Sequence, residues 1–156
     1  MSISVDVAIR SGRIPLSRER VARIAERVLR AERVRDADLS ITFLSNREIA
    51  ALNRRHLGRS GPTDVISFEL GGSAPGAPLV GDVYIAPDMA RANARDEGIP
   101  VREELARLVV HGTLHALGYS HPEGSREERA GSPMWKRQES LLRRALATEN
   151  GKGRRA

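Results

Sequence analysis

Val101-Arg-Glu-Glu-Leu-Ala-Arg-Leu-Val-Val-His-Gly-Thr-Leu-His-Ala-Leu-Gly-Tyr-Ser-His121 is the stretch from which the rest of the chain is read. Through Leu117 its apolar residues recur at helical spacing and occupy most sides of the cylinder, the pattern of a helix buried inside a domain. Gly118 stands where a left-handed residue can end that helix. Gly112, near its middle, costs about 1 kcal/mol relative to alanine, so a close approach by another element is expected there.

Outward from that helix the chain offers strands and further helices to cover it. Ile3, Val5, Val7 and Ile9 alternate as a strand does, as do Leu39, Ile41 and Phe43. Between them Ser17 caps a helix whose face carries Val21, Ile24, Ala25, Val28 and Leu29. Ser45-Asn-Arg-Glu48 fits a capping box opening a short helix that buries Ile49 and Leu52. Gly58 to Pro62 reads as a loop, Val65 to Phe68 as a third strand, residues 71–79 as an aperiodic connector and Val80 to Ala86 as a fourth strand. Pro87 opens a helix that stops near Gly98. Residues 123–133 read as a loop, Met134 to Ala147 as a final amphipathic helix, and 149–156 as a disordered basic tail. The expectation is one α+β domain over residues 1–148: a four-stranded mixed sheet packed with about five helices, the buried one central.

Composition narrows the class of function. With 156 residues and no cysteine, disulfide frameworks, thiolate metal sites and cysteine nucleophiles are excluded. No run approaches the ~18 apolar residues of a membrane span, and Asp6 interrupts any apolar core of an export signal, so a cytoplasmic protein is expected. Lys and Arg number 26 against 20 Asp and Glu, a net charge of +6. All but Lys136 and Lys152 are Arg, which suits phosphate-rich partners and equally suits a GC-rich genome. Trp135, Tyr84, Tyr119, Phe43 and Phe68 are too scattered in sequence for a base-stacking platform. A bound nucleic acid is therefore expected to be held by charge, with little stacking.

Three of the four histidines, His111, His115 and His121, lie within eleven residues. His111 and His115 are four apart on a helix, so both imidazoles share one face about 6 Å apart at Cβ. The turn after Gly118 can return His121 toward the same point. Three neutral imidazoles and a water make a catalytic zinc site, one Zn2+ per chain. The order H-G-T-L-H-A-L-G-Y-S-H follows the zincin pattern H-E-x-x-H-x-x-G-x-x-H except that Gly112 replaces the glutamate that serves peptidases as base. Peptide hydrolysis is weakened by that change; phosphodiester cleavage needs a dedicated base less, because a metal polarises the phosphoryl oxygen.

This segment, with Leu52-Asn53, Pro62-Thr-Asp-Val-Ile-Ser-Phe68, Gly81-Asp82-Val83 and the Met134…Glu139 helix start, resembles the YbeY family of single-strand-specific endoribonucleases. The resemblance runs from about Leu39 to Leu142. It implies a zinc-dependent enzyme of rRNA maturation acting at the 3′ end of small-subunit rRNA and in ribosome quality control. His111, His115 and His121 would be the zinc ligands, and single-stranded rRNA, the ribosomal subunit or assembly factors the partners. The sequence departs from the family at Ser120, where the family has Asp, and at Leu57, where it has an Arg attributed to catalysis.

Arg59, two residues on, is the catalytic candidate; it either reaches the phosphate in place of that Arg or is a solvated loop cation. His56 fills the place of the family's aromatic residue. Asp64 and Ser120 are candidates to orient a zinc ligand, with a turn-capping role open for Asp64, and Asp82 is read as structural. Two other functions fit parts of the pattern: a zinc metallopeptidase with Met134 supplying a Met-turn, and a non-enzymatic ribosome-assembly factor.

Overall fold

The computed structural model describes residues 2–71, 75–120 and 129–155, with side chains as far as 147. Its elements are β1 (Ile3–Ile9), α1 (Arg18–Ala31), β2 (Ala37–Phe43), α2 (Asn46–Leu57), β3 (Val65–Glu69), β4 (Leu79–Ile85), α3 (Pro87–Glu97), α4 (Val101–Ala116) and α5 (Pro133–Arg155). The four strands form one mixed sheet in the order β1-β2-β4-β3, with β1, β2 and β4 parallel and the edge strand β3 antiparallel to β4. The α+β architecture expected from sequence is the one observed.

The local signals act as read. Ser17 Oγ accepts from the Arg20 amide at 3.1 Å. Ser45 Oγ accepts from the Glu48 amide at 3.1 Å while the Glu48 carboxylate accepts from the Ser45 amide at 3.3 Å, completing the box. Gly118 has φ +100°, and the Gly118 and Tyr119 amides donate to the His115 and Leu114 carbonyls at 2.9 and 3.0 Å, closing the end of α4 as a Schellman turn.

Helix α4 is the hub: it contacts α1, α3, α5, β3 and β4. Leu105, Val109, Leu114 and Ala116 are fully buried in a core shared with Leu39, Ile41, Val83 and Ile85 of the sheet. On the opposite sheet face α2 closes a smaller core around Leu44, Ile49, Ile66 and Ala86. The period-2 alternation of a strand separates these faces, so Ser67 and Val83 look toward α4 while Phe68, Asp82 and Tyr84 look away.

Gly112 is where α4 meets the sheet. A Cβ there would lie 2.5 Å from Val83 Cγ1 and 3.2 Å from Val65 Cγ2, and Ser67 Oγ donates to the Gly112 carbonyl at 2.9 Å. Gly112→Ala therefore gains about 1 kcal/mol of helix propensity but loses more to overpacking, for a net destabilisation of about 1–2 kcal/mol. Urea unfolding reads this directly, and an unchanged or raised midpoint contradicts the close packing.

The structure revises the sequence reading around the last helix. Residues 121–128, most of the expected loop, lie outside the described residues. Arg129 and Ala130 are already helical rather than loop. Ser132 Oγ accepts from the Trp135 amide at 3.2 Å, so Ser132 caps α5 and Pro133 takes its first turn, one residue before the expected start. The backbone of α5 continues through Arg155, past the expected end at Ala147. Apolar periodicity reports only the packed part of a helix, whereas its hydrogen bonds propagate further.

Candidate metal centre

His111 and His115 project from consecutive turns of α4 with ring centroids 4.5 Å apart and planes at 73°. Each ring is held by a hydrogen bond that also fixes its tautomer. His115 Nδ1 lies 2.8 Å from the Tyr119 carbonyl, which can only accept, so the ring proton sits on Nδ1 and the lone pair on Nε2. His111 Nδ1 lies 2.6 Å from Gln138 Oε1. The Gln138 amide is oriented in turn, because its Nε2 donates to Glu139 Oε2 at 3.1 Å. His111 is thus also an Nδ1–H tautomer with its lone pair on Nε2. Two imidazoles with lone-pair Nε2 atoms on adjacent turns, each braced through Nδ1, are a donor pair suited to zinc or a neighbouring transition metal.

Among the described residues no three His, Asp or Glu side chains gather around one point. His121 lies outside the described residues. The turn leading to it is anchored: Tyr119 Oη donates to Glu32 Oε2 at 2.8 Å, and Arg137 Nε donates to Glu32 Oε1 at 2.6 Å. The Glu32 hydrogen bond, then burial, raises the Tyr119 phenol above its usual range, keeping it a donor.

Behind His111 runs a chain of polar side chains that spans three helices. Glu139 accepts from Arg107 Nε and Nη2 at 3.0 and 3.1 Å. Arg107 Nη1 donates to Glu104 Oε1 at 3.0 Å. Asn93 Nδ2 donates to Glu104 Oε2 at 3.0 Å and to Asp64 Oδ2 at 3.1 Å. Gln138 and Glu104 are buried. A cavity of about 150 Å³ lies beside His111, with Asp64, Asn93, Leu108 and Trp135 in its wall.

The structure brings Asp64 to this cavity with His111, whereas Ser120 is exposed beyond the end of α4. Asp82 is on the far face of the sheet beside Tyr84; burial first and the Asp82 carboxylate second raise that phenol above its usual range. His56 is also on that side, its ring edge-on to Phe68 at 5.3 Å. Leu57 is half exposed, and Arg59 is exposed in the following loop. Asn53 pins that loop: its carbonyl accepts from the Arg59 amide at 3.3 Å and its Nδ2 donates to the Gly61 carbonyl at 3.0 Å.

Sequence reasoning missed Gln138, Asn93, Glu104 and Arg107. A signal existed for Gln138, which interrupts the apolar stripe Met134, Leu141, Leu142, Ala145 of α5. Glu104 and Arg107 likewise stand at i, i+3 on a helix otherwise apolar nearly all round.

The family model described as Endoribonuclease YbeY matches residues 6–145. A protein of that name from Thermobifida fusca is 40% identical over 129 residues, covering 78% of this chain and 83% of the relative. One from Syntrophus aciditrophicus is 35% identical over 83% of each chain, and one from Bacillus licheniformis is 34% identical over 92% of this chain and 96% of its own. The solution structure of a Thermotoga maritima protein, 22% identical, superposes with a TM-score of 0.62 over 95% of this chain and 93% of that one, a likeness of fold.

Proposed function

The chain belongs to the endoribonuclease YbeY family, and from that premise we propose that it is a zinc-dependent, single-strand-specific endoribonuclease of rRNA maturation. Small-subunit rRNA 3′ ends are its substrate in this reading, the cytoplasm its place, and the ribosomal subunit or assembly factors its partners. The observation that carries it is the paired commitment of both Nδ1 protons, which presents two lone-pair Nε2 atoms from one helix face. His111, His115 and His121 would hold one zinc ion. When bound, zinc polarises a phosphoryl oxygen and lowers the pKa of a coordinated water.

The chain's own residues supply the rest. Gln138 and the Tyr119 carbonyl keep the ligand rings in one orientation, so no rotamer entropy is lost when substrate arrives. Arg59, on a loop pinned by Asn53, would neutralise the phosphate as charge builds on it. The net charge of +6 draws the polyanion in. The peptidase reading needs a carboxylate base, and position 112 leaves no room for one on the helix. Among the described residues no helix is long and apolar enough to cross a membrane.

The test is incubation of zinc-loaded protein with a single-stranded rRNA fragment and with the same sequence in a duplex. Chelator-sensitive cutting of the single strand alone is expected; no cutting of either defeats the proposal. Two substitutions probe its parts. Arg59→Ala is expected to lower cleavage by about 100-fold with zinc content unchanged; full activity would make Arg59 a loop cation. Gln138→Leu is expected to weaken zinc binding by about 10–100-fold, measured by competition with a chelating dye, and unaltered affinity would remove Gln138 from the site.

A further inference from the structure

The cavity beside His111 has a chemical asymmetry. Both amide hydrogens of Asn93 are used, one on Asp64 Oδ2 and one on Glu104 Oε2, which leaves Asn93 Oδ1 as an acceptor. Among the described residues neither that oxygen nor Asp64 Oδ1 has a hydrogen-bond donor. The donors nearby are mostly engaged, with Arg107 bonding three glutamates and Gln138 Nε2 bonding Glu139, though the Arg107 Nη1 and Gln138 Nε2 groups each carry a second N–H. The exception is Arg129, whose Nε is buried without a partner and whose side chain lines the same cavity. Leu108 and Trp135 add apolar wall, and Trp135 is the one tryptophan in the chain.

Size and edge chemistry together select a ligand. A cavity of about 150 Å³ is that of a site known to admit one six-membered aromatic ring. Two acceptors with N–H donors beside them, Arg129 Nε the one wholly without a partner, complement an edge bearing an exocyclic amine beside ring acceptors. Cytosine has that edge on a single ring; uracil turns a carbonyl oxygen toward the Asp64 carboxylate instead.

We propose that this cavity is a nucleobase subsite that takes an unstacked cytosine of the RNA, with Asp64 and Asn93 accepting from its amine and Trp135 walling its ring. The source of the base rests on the endoribonuclease reading. A base seated here has left any duplex, so the subsite itself favours single strands. It also qualifies the expectation of little stacking: one aromatic at the site contributes where a dispersed five do not.

The test titrates the emission of Trp135 in chelator-treated protein with hexacytidylate and hexauridylate, whose backbone charges are equal. Hexacytidylate is expected to quench it with at least ~10-fold tighter affinity, since one good base-edge pairing discriminates by about that much or more. Asp64→Asn, which offers uracil a donor, is expected to bring the two affinities within about threefold of each other. Equal affinities in the wild-type protein overturn the subsite, and that comparison needs no variant to fold; a cytosine preference that survives Asp64→Asn overturns the role of Asp64. The endoribonuclease reading fails separately: quenching by hexacytidylate without RNA cleavage keeps the subsite and removes the nuclease, and cleavage without base preference does the reverse.

Discussion

His115→Ala is expected to reduce RNA cleavage by at least ~100-fold and to drop bound zinc from one ion per chain to a small fraction. Loss of a residue that merely orients a ligand costs about 10–100-fold in metal affinity or activity, so loss of a ligand itself costs no less. The fold should survive. His115 is half-buried on a helix packed mainly through other residues, and its Nδ1 bonds the Tyr119 carbonyl at 2.8 Å. Losing that bond costs about 1 kcal/mol, and alanine returns some helix propensity. The measurements are zinc by atomic emission, the thermal midpoint without metal, and cleavage of a single-stranded rRNA fragment. The metal-free midpoint should move by a few degrees at most. Cleavage and zinc content equal to wild type would mean that the two rings do not share an ion. Zinc lost with the metal-free fold collapsed would give the assembly-factor reading its opening, since the histidine would then be serving stability.

Local chemistry was legible and long-range chemistry was not. Ser17, Ser45 and Gly118 act within four residues of themselves, so their spacing alone reveals the cap each one makes. Gly112 is a middle case. Its helix cost announced that something must come close, but only the fold could name Val83, which lies 29 positions away in sequence and one strand over. The paired histidines on α4 follow from helical spacing for the same local reason. What braces them does not: Gln138 reaches His111 across 27 positions and Arg107 reaches Glu139 across 32. A polar residue in an apolar stripe says that a partner exists without saying which one. Asp64 and Asp82 show the same limit from the other side. Both stand in or beside strands among apolar residues, and only the position of α4 on one face of the sheet makes the first a neighbour of His111 and sets the second apart from it.

Arg107→Met is expected to destabilise the fold by about 3–5 kcal/mol, the range for removing one partner of a buried ion-pair network. Arg107 is 13% exposed and Glu104 only 4%, so the carboxylate left behind cannot be rescued by water without opening the packing between α3 and α4. Burial opposes the Arg107 charge, but the hydrogen bonds and charge of Glu139, followed by those of Glu104, outweigh it and hold the guanidinium pKa above its ordinary value. A folded-state pKa raised above the unfolded one stabilises fully below the unfolded value and is lost only as pH climbs through the folded one. For an arginine that window lies far into alkali, so its contribution should be flat across the neutral range. Urea unfolding at several neutral pH values reads both the size and the flatness. Arg107→Met with Glu104→Gln should recover part of the loss, a coupling of about 1–3 kcal/mol in a double-mutant cycle, because the amide no longer needs a counter-charge. A single-variant loss below about 1 kcal/mol would put these groups among ordinary surface pairs. The same substitution carries to the metal centre. With Arg107 gone, Glu139 is free to turn, Gln138 loses the acceptor that orients its amide, and His111 loses its fixed tautomer, so zinc affinity should fall even under conditions in which the variant remains folded.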